Sequence, residues 1–204
     1  MTWYEEDVKK VEKVKTKLTY DPKLIFYGSS SIRLWESLYE DFKQYYPVNL
    51  GFGGSTLEAC NYFFERILLP YHPKHIVFYA GDNDLGDGKS PDQVFTYFQQ
   101  FVSKLNKHFP TIALSYVSIK PSLSRWDIIS RIRTTNNLIE GFIKKANKNY
   151  YYVDIFDSML DPSRLPIRKF YQEDELHLSK EGYKVWKEIL LKHIEKFNDS
   201  IIAK

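Results

Sequence analysis

The stretch that decides the fold covers residues 75–84 and reads His-Ile-Val-Phe-Tyr-Ala-Gly-Asp-Asn-Asp. Its apolar residues follow one another without polar alternation, which is typical of a strand buried on both faces, and the glycine marks its end. Two other short apolar runs, residues 23–27 and 48–50, also end in glycine, at Gly28 and Gly51. Buried strands of this kind predict a parallel sheet that is covered by helices.

Helical patterns separate these strands along the chain. Ser90-Pro91 illustrates a helix start, because serine is a favoured cap and proline suits the first helical position. The predicted helices cover residues 56–69, 91–108, 124–148 and 179–197, and two further strands cover residues 112–119 and 151–156. The alternation predicts an α/β fold, a three-layer αβα sandwich with a central, mostly parallel five-stranded sheet.

The sequence pattern of the N-terminal residues 1–20 predicts an amphipathic helix that packs on the rest of the protein. Thr2 to Glu5 has the spacing of a capping box, and apolar residues follow at helical intervals from Val8 to Leu18. With 204 residues, no internal repeat and no linker, the chain fits a single domain that spans residues 1–204.

Charge and composition argue against several classes of function. The formal net charge of +3 is spread along the chain, and Glu12 is interleaved with the lysines between Lys9 and Lys17, so no nucleic-acid surface is expected. No apolar run is long enough to span a bilayer. The N-terminus lacks the pattern of a signal peptide, which favours a cytoplasmic protein, and the oligomeric state is left open.

Cysteine and histidine usage predicts neither a disulfide nor a metal site. Cys60 is the single cysteine and lies in a helical pattern, where a buried thiol behaves as a small apolar residue. The five histidines show none of the spacings that bind zinc. We therefore expect no metal and no cofactor.

The polar turns that follow the first three strands are expected to meet. In an open parallel sheet, ligands bind outside the carboxyl ends of the strands. Gly28, Gly51 and Gly81 all follow such ends. The three turns should therefore lie along one rim of the sheet.

Ser30 is the candidate nucleophile on this rim. It follows a strand and precedes residues 32–35, which predict a helix, so its backbone N–H is free to bind an oxyanion. The alternative is a helix cap within the turn formed by Ser29, Ser30 and Ser31. The segment lacks the Gly-x-Ser-x-Gly pattern of the nucleophile elbow.

Two further turns offer hydrogen-bond donors. Gly54 lies in Gly-Phe-Gly-Gly-Ser, residues 51–55, where missing side chains let the backbone approach a ligand closely. Asn83 carries an amide Nδ2 on the third turn, between Asp82 and Asp84, for which turn and capping roles are expected. Ordinary turns are the alternative for both segments.

Asp174 and His177 form the remaining candidate pair. A spacing of three residues lets a carboxylate reach one imidazole nitrogen while the other points outward as a general base. Leu176 and Leu178 are apolar neighbours, which predicts that the histidine lies at a packed edge. Surface decoration is the alternative for an isolated Asp-x-x-His.

Together these residues meet the requirements of acyl transfer, which are a nucleophile, a base, an orienting acid and oxyanion donors. At this point the chain resembles the SGNH (GDSL-type) serine hydrolases. Ser30, Gly54, Asn83 and His177 match the four name-giving residues of that family, and Asp174 matches its Asp-x-x-His acid. The resemblance implies a flavodoxin-like SGNH fold with Ser30 N–H, Gly54 N–H and Asn83 Nδ2 as the oxyanion hole.

The resemblance extends roughly from Leu24 to Trp186. Residues 26–35 and 49–56 look like a bacterial branch similar to the platelet-activating-factor acetylhydrolase subunits. Where the family has Gly-Asp-Ser, this chain has Ser29 in place of the aspartate, which is not a triad member in the family. Gly53 is the alternative to its neighbour as the glycine donor.

The resemblance implies a carboxylic ester hydrolase that works through an acyl-enzyme intermediate. Family substrates range over acetylated sugars, short-chain and aryl esters, lysophospholipids and thioesters, so a small-molecule acyl ester is the expected partner. Two alternatives use a related fold. One is a catalytically silent binding protein, and the other is a flavodoxin-like protein that binds phosphate or flavin at the Gly-Ser-Ser-Ser turn.

Overall fold

A parallel sheet forms the centre of the computed structural model, which describes residues 1–146 and 148–202. The strands are β1 (Leu24–Gly28), β2 (Pro47–Gly51), β3 (His75–Tyr79), β4 (Ala113–Val117) and β5 (Tyr150–Val153). They pair in parallel in the order β2-β1-β3-β4-β5. The predicted five-stranded sheet is therefore confirmed.

Helices cover both faces of this sheet. They are α1 (Glu5–Glu12), α2 (Ser30–Arg33), α3 (Leu38–Asp41), α4 (Leu57–Tyr62), α5 (Phe64–Leu68), α6 (Asp82–Gly86), α7 (Pro91–His108), α8 (Ile129–Lys145), α9 (Lys180–Ile194) and α10 (Asn198–Ile202). Residue 147, within the predicted helix 124–148, and residues 203–204, at the end of the predicted domain, lie outside the described residues.

Two apolar cores lie on opposite faces of the sheet and create the three layers. Side chains of α1 and α4 to α8 join one core, and those of α2, α3, α9 and α10 join the other. Strand β1 is apolar throughout because its side chains enter both cores. Ile25 and Tyr27 face the first core, while Leu24 and Phe26 face the second. All four are fully buried, as expected for a strand covered on both faces.

The N-terminal helix differs from the predicted one. Residues Thr2–Tyr4 form a 3₁₀-helix, and α1 begins at Glu5 without a side-chain cap, so the predicted capping box is wrong. The carboxylate of Glu5 instead pairs with Arg66 on α5 at 2.7 Å. Helix α1 ends at Glu12, and Val14 beyond it still packs against the core.

Two other predicted helices are interrupted. The predicted helix 56–69 is divided into α4 and α5 because the backbone leaves helical geometry at Phe63, with φ −91° and ψ 6°. Phe63 and Phe64 are both fully buried. In a straight helix two consecutive side chains point in fixed, different directions, and the break at Phe63 removes this constraint. Before α8, residues Leu123–Ile128 form a 3₁₀-helix that lies beside the site described next.

Candidate active site

The turns after β1, β2 and β3 lie side by side at the carboxyl edge of the sheet. Gly28 is paired in register with Gly51 on one side and with Tyr79 on the other. Beyond the strands, the N–H of Ser29 donates to the carbonyl of Tyr79 at 3.0 Å, and the N–H of Phe52 donates to that of Gly28 at 3.0 Å. The order of the strands thus brings the three turns together.

Gly28 makes this close approach possible. Its φ is +136°, in a region that favours glycine, and a Cβ at this position would lie 1.9 Å from the carbonyl oxygen of Tyr79. Any larger residue would separate the end of β1 from β3. The glycine therefore sets the path on which the chain reaches Ser30.

Ser30 is the first residue of α2, and its hydroxyl does not cap the helix. The residue before it, Ser29, occupies the N-cap position, but its side chain makes no cap hydrogen bond. Ser30 Oγ lies 3.0 Å from Nε2 of His177. Among the described residues, no acceptor binds the backbone N–H of Ser30, as expected for the first turn of a helix.

Asp174 organises the turn that carries His177. Its Oδ1 accepts the backbone N–H groups of Leu176 at 3.0 Å and of His177 at 2.9 Å. Its Oδ2 lies 2.5 Å from Nδ1 of the His177 ring. One carboxylate therefore holds both the backbone of the turn and the orientation of the imidazole.

The same contacts keep the carboxyl of Asp174 ionised. Partial burial raises its pKa, but the hydrogen bonds from the His177 ring and from the N–H groups of Leu176 and His177 outweigh burial and lower the pKa to about 2. At neutral pH the carboxylate is negative and accepts the proton on Nδ1. The opposite ring nitrogen, Nε2, is then free to accept a proton from Ser30.

The His177 turn rests on a packed edge, as the apolar neighbours predicted. Leu178 is buried, and Tyr171 forms a bridge to it. The N–H of Gln172 donates to the carbonyl of His177 at 2.8 Å. The imidazole itself is 28% exposed, so it is held firmly while remaining accessible from solvent.

The two glycines of the second turn differ in their surroundings. Gly54 is exposed and has φ +64°, and no described residue accepts its N–H. Gly53 is half-buried, and a Cβ there would lie 3.0 Å from Asp7 Oδ2 and 3.1 Å from Arg33 Nε. Gly54 therefore lies in the more open surroundings.

Asn83 lies next to this glycine turn. Its Nδ2 donates to the carbonyl of Ser55 at 3.0 Å, which uses one of its two amide hydrogens. Its Oδ1 accepts from Nη2 of Arg125 at 3.0 Å. The structure thus brings the predicted donor segments into contact through side chains as well as through the sheet.

The two aspartates beside Asn83 have different roles. Asp84 caps α4, as its Oδ2 accepts the N–H of Leu57 at 2.7 Å, in agreement with the predicted capping role. Asp82 is instead buried in an ion pair with Lys120 at 2.6 Å and with Arg125. Burial raises the pKa of Asp82, but the two cations outweigh it and lower the pKa to about 2.

Sequence reasoning did not predict that Lys120 and Arg125 pair with Asp82. Lys120 and Arg125 follow β4 and so belong to a fourth turn on the same rim, a position that could have drawn attention to them. It also missed Trp3, which is 69% exposed and lies against Gly54. Lys10 has the largest effect in lowering the pKa of Asp7 on α1, and Arg33, which lies beside Gly53, adds a smaller one.

In residues 1–146 and 148–202, no helix combines the length and apolar character needed to cross a membrane. In the same ranges, no group of three or more His, Cys, Asp and Glu side chains is placed to hold a metal ion.

The fold and this arrangement of side chains define a carboxylic ester hydrolase, and comparison with known proteins identifies its family. The sequence profile of the GDSL-like lipase/acylhydrolase family matches residues 24–185. The chain therefore belongs to the GDSL-like lipase/acylhydrolase family. No curated protein has a matching sequence.

Solved structures with the same fold cover nearly the whole chain. A Streptococcus pneumonia protein named for platelet activating factor has a TM-score of 0.81 at 19% identity, covering 95% of both chains. A GDSL-like lipase from Bacteroides thetaiotaomicron has a TM-score of 0.79 at 19% identity, covering 93% of this chain and 98% of that one. A family 3 carbohydrate esterase from Talaromyces cellulolyticus has a TM-score of 0.69 at 12% identity, covering 86% and 97%. At these identities the similarity establishes the fold.

Proposed function

We propose that this protein hydrolyses small acyl esters through an acyl-enzyme intermediate on Ser30. The observation that carries the proposal is the hydrogen-bonded series Ser30 Oγ–His177 Nε2 at 3.0 Å and His177 Nδ1–Asp174 Oδ2 at 2.5 Å. A nucleophile, a base and an orienting carboxylate in this order are the requirements for serine catalysis.

The reaction proceeds in two steps. His177 Nε2 takes the proton of Ser30 as Oγ bonds to the acyl carbon, and the carbonyl oxygen becomes negative. The tetrahedral intermediate collapses, the bond to the alcohol oxygen breaks, and His177 returns the proton to the departing alcohol. A water molecule then gives a proton to His177 and attacks the acyl carbon. The bond from this carbon to Oγ breaks and His177 returns the proton to Oγ, which releases the acid and free Ser30.

The oxyanion is stabilised by donors on the rim of the sheet. We assign this role to the N–H of Ser30, the N–H of Gly54 and Nδ2 of Asn83. Support comes from the unused N–H groups of Ser30 and Gly54 among the described residues, and from the second Nδ2 hydrogen that Ser55 leaves free. Gly54 is preferred to Gly53 because it is exposed, whereas Gly53 lies against Asp7 and Arg33.

Esters with a short acyl group, such as acetyl groups on sugars or short-chain and aryl esters, are the proposed substrates. The reacting side chains lie on an open rim, where the imidazole of His177 is 28% exposed and Gly54 is exposed. Trp3 adds an exposed aromatic surface beside Gly54, which suits the apolar face of a sugar or aryl ring. Because Tyr4 also donates to the carbonyl of Gly54 at 3.1 Å, we include the N-terminal segment in the hydrolase domain.

Substitution of Ser30 tests the proposal directly. We expect Ser30→Ala to abolish turnover of p-nitrophenyl acetate and to prevent covalent labelling by a fluorophosphonate, because both reactions require Oγ. The matched control is Ser31→Ala, in the same turn, which should retain turnover and labelling. Full activity of Ser30→Ala, or labelling at another residue, would overturn the proposal and favour a catalytically silent binding protein.

A further inference from the structure

Arg125 is the only described cation that contacts Asn83, and it does so at the carbonyl end of the amide. We propose that Arg125 is a positioning residue, which fixes the amide of Asn83 so that Nδ2 faces the oxyanion. This inference rests on the proposed function, since it concerns the same site. It assigns a role to a residue outside the proposed triad and the proposed oxyanion donors.

The guanidinium of Arg125 bridges two consecutive residues of α6. Its Nη2 donates to Asn83 Oδ1 at 3.0 Å, and its Nη1 pairs with Asp82 Oδ1. At the other end of the amide, Asn83 Nδ2 donates to the carbonyl of Ser55 at 3.0 Å. Both ends of the Asn83 side chain are therefore held by partners of defined polarity.

These partners permit only one orientation of the amide. A rotation of 180° about χ2 would place the Nδ2 hydrogens against the guanidinium, which carries donors only, and Oδ1 against the carbonyl of Ser55, which carries acceptors only. Both hydrogen bonds would be replaced by repulsive contacts. With Arg125 present, Nδ2 stays on the side of Ser55, and its second hydrogen is left for another acceptor.

The guanidinium is itself held in place by burial and charge. Its side chain is 17% exposed, and its partner Asp82 is buried and also paired with Lys120 at 2.6 Å. The absence of a side chain at Gly86 makes room for it, because a Cβ there would lie 2.8 Å from Cζ and Nη2 of Arg125. Two cations around one carboxylate leave a net positive charge next to the proposed oxyanion donor, which favours negative charge there.

The same segment also contacts the turn that carries the base. Ser124, the residue before Arg125 in the 3₁₀-helix Leu123–Ile128, donates its N–H to the carbonyl of Glu175 at 3.3 Å. Glu175 lies between Asp174 and His177 in sequence. The segment thus joins the donor side of the site to the base side.

Steady-state kinetics of p-nitrophenyl acetate hydrolysis test the inference. We expect Asn83→Ala to lower kcat by about 10²–10³-fold and Arg125→Met by about 10–100-fold, with little change in KM, because a lost outer partner loosens the donor without removing it. Arg125→Lys should lose nearly as much, since an ammonium cannot bridge Asp82 and Asn83 in the same way. The matched control is Arg66→Met, which removes an exposed arginine that pairs with Glu5 and Glu12.

A double-mutant cycle separates positioning from a merely structural role. If Arg125 acts through Asn83, then Arg125→Met should cause no further loss of kcat in the Asn83→Ala background. Equal losses in both backgrounds, a loss confined to KM, or a wild-type kcat in Arg125→Met would each overturn the inference.

A second probe displaces the guanidinium without removing it, and it carries the test if Arg125→Met does not fold. We expect Gly86→Ala to lower kcat, because the new methyl group occupies the position of the guanidinium. In the Arg125→Lys background, Gly86→Ala should not lower kcat further if the shorter lysine leaves that space empty. Unchanged kcat in Gly86→Ala would contradict the inference. Loss of the proposed function would be recognised separately, by an inactive wild type or an active Ser30→Ala.

Discussion

At the scale of single residues, Asp174 shows how one carboxylate can hold both a turn and an imidazole ring. Oδ1 accepts backbone N–H groups of its own turn and Oδ2 contacts the ring of His177, so all these contacts form within the Asp-x-x-His segment. This pairing was predictable from sequence because the residues are three positions apart. The partner of the opposite ring nitrogen, Ser30, is 147 residues away and needed the fold to be located.

Substitutions of this pair should differ in severity. His177→Ala removes the proposed base and should lower kcat/KM by at least about 10⁴-fold. Asp174→Asn should cost less, because Oδ1 can still hold the turn, while its Nδ2 now favours the wrong tautomer of His177. Asp161→Asn is the matched control, since Asp161 also accepts a backbone N–H, from Leu165 at 3.0 Å. Equal losses in the two variants would mean that Asp174 and His177 act as one unit.

At the scale of elements, α7 was predicted well because its signals are local. Ser90 caps the helix, Gln93 completes a capping box, and Pro91 occupies the first turn, all within one stretch of sequence. The N-terminal helix was predicted less well, because the long-range ion pair between Glu5 and Arg66 competes with the expected capping box. In these two helices, the prediction from a local pattern was therefore correct only where no residue distant in sequence competed with it.

The cap of α7 can be tested without touching the site. Ser90→Ala should lower the free energy of unfolding by about 1 kcal/mol, because the N–H of Gln93 loses its acceptor at the helix start. Urea denaturation at pH 7 measures the change, and kcat should stay the same. Ser103→Ala, on the exposed middle of α7, makes the same chemical change without a cap and should not destabilise the protein. Equal destabilisation in both variants would argue against the capping role.

At the scale of the whole molecule, Asp84 links the third rim turn to α4 and makes stability depend on pH. Burial raises the pKa of its carboxyl to about 6, although hydrogen bonds from the N–H groups of Leu57 and Glu58 oppose the rise. Since this folded-state pKa lies above the ordinary value of 3.8, the contribution to stability is complete below pH 3.8 and is lost as the pH rises through 6.

The pH dependence of unfolding gives the corresponding prediction. The difference between about 6 and 3.8, at about 1.36 kcal/mol per pKa unit, corresponds to about 3 kcal/mol lost between these pH values. Asp84→Asn should remove this decline, because the amide does not titrate and Oδ1 can still accept the N–H of Leu57. Urea denaturation at a series of pH values measures it, with the exposed Asp92→Asn as control. Parallel stability curves for wild type and Asp84→Asn would contradict the prediction.

The sequence by itself determined the sheet, its rim and the candidate residues on it. Continuous apolar runs ending in glycine indicate buried parallel strands, and such strands place their carboxyl ends at one edge. Only the tertiary structure brought Ser30 to His177, showed that Gly54 is more open than Gly53, and placed Arg125 against Asn83. The physical reason is range: periodicity reports local backbone geometry and burial, whereas these contacts depend on how turns far apart in sequence pack against one another.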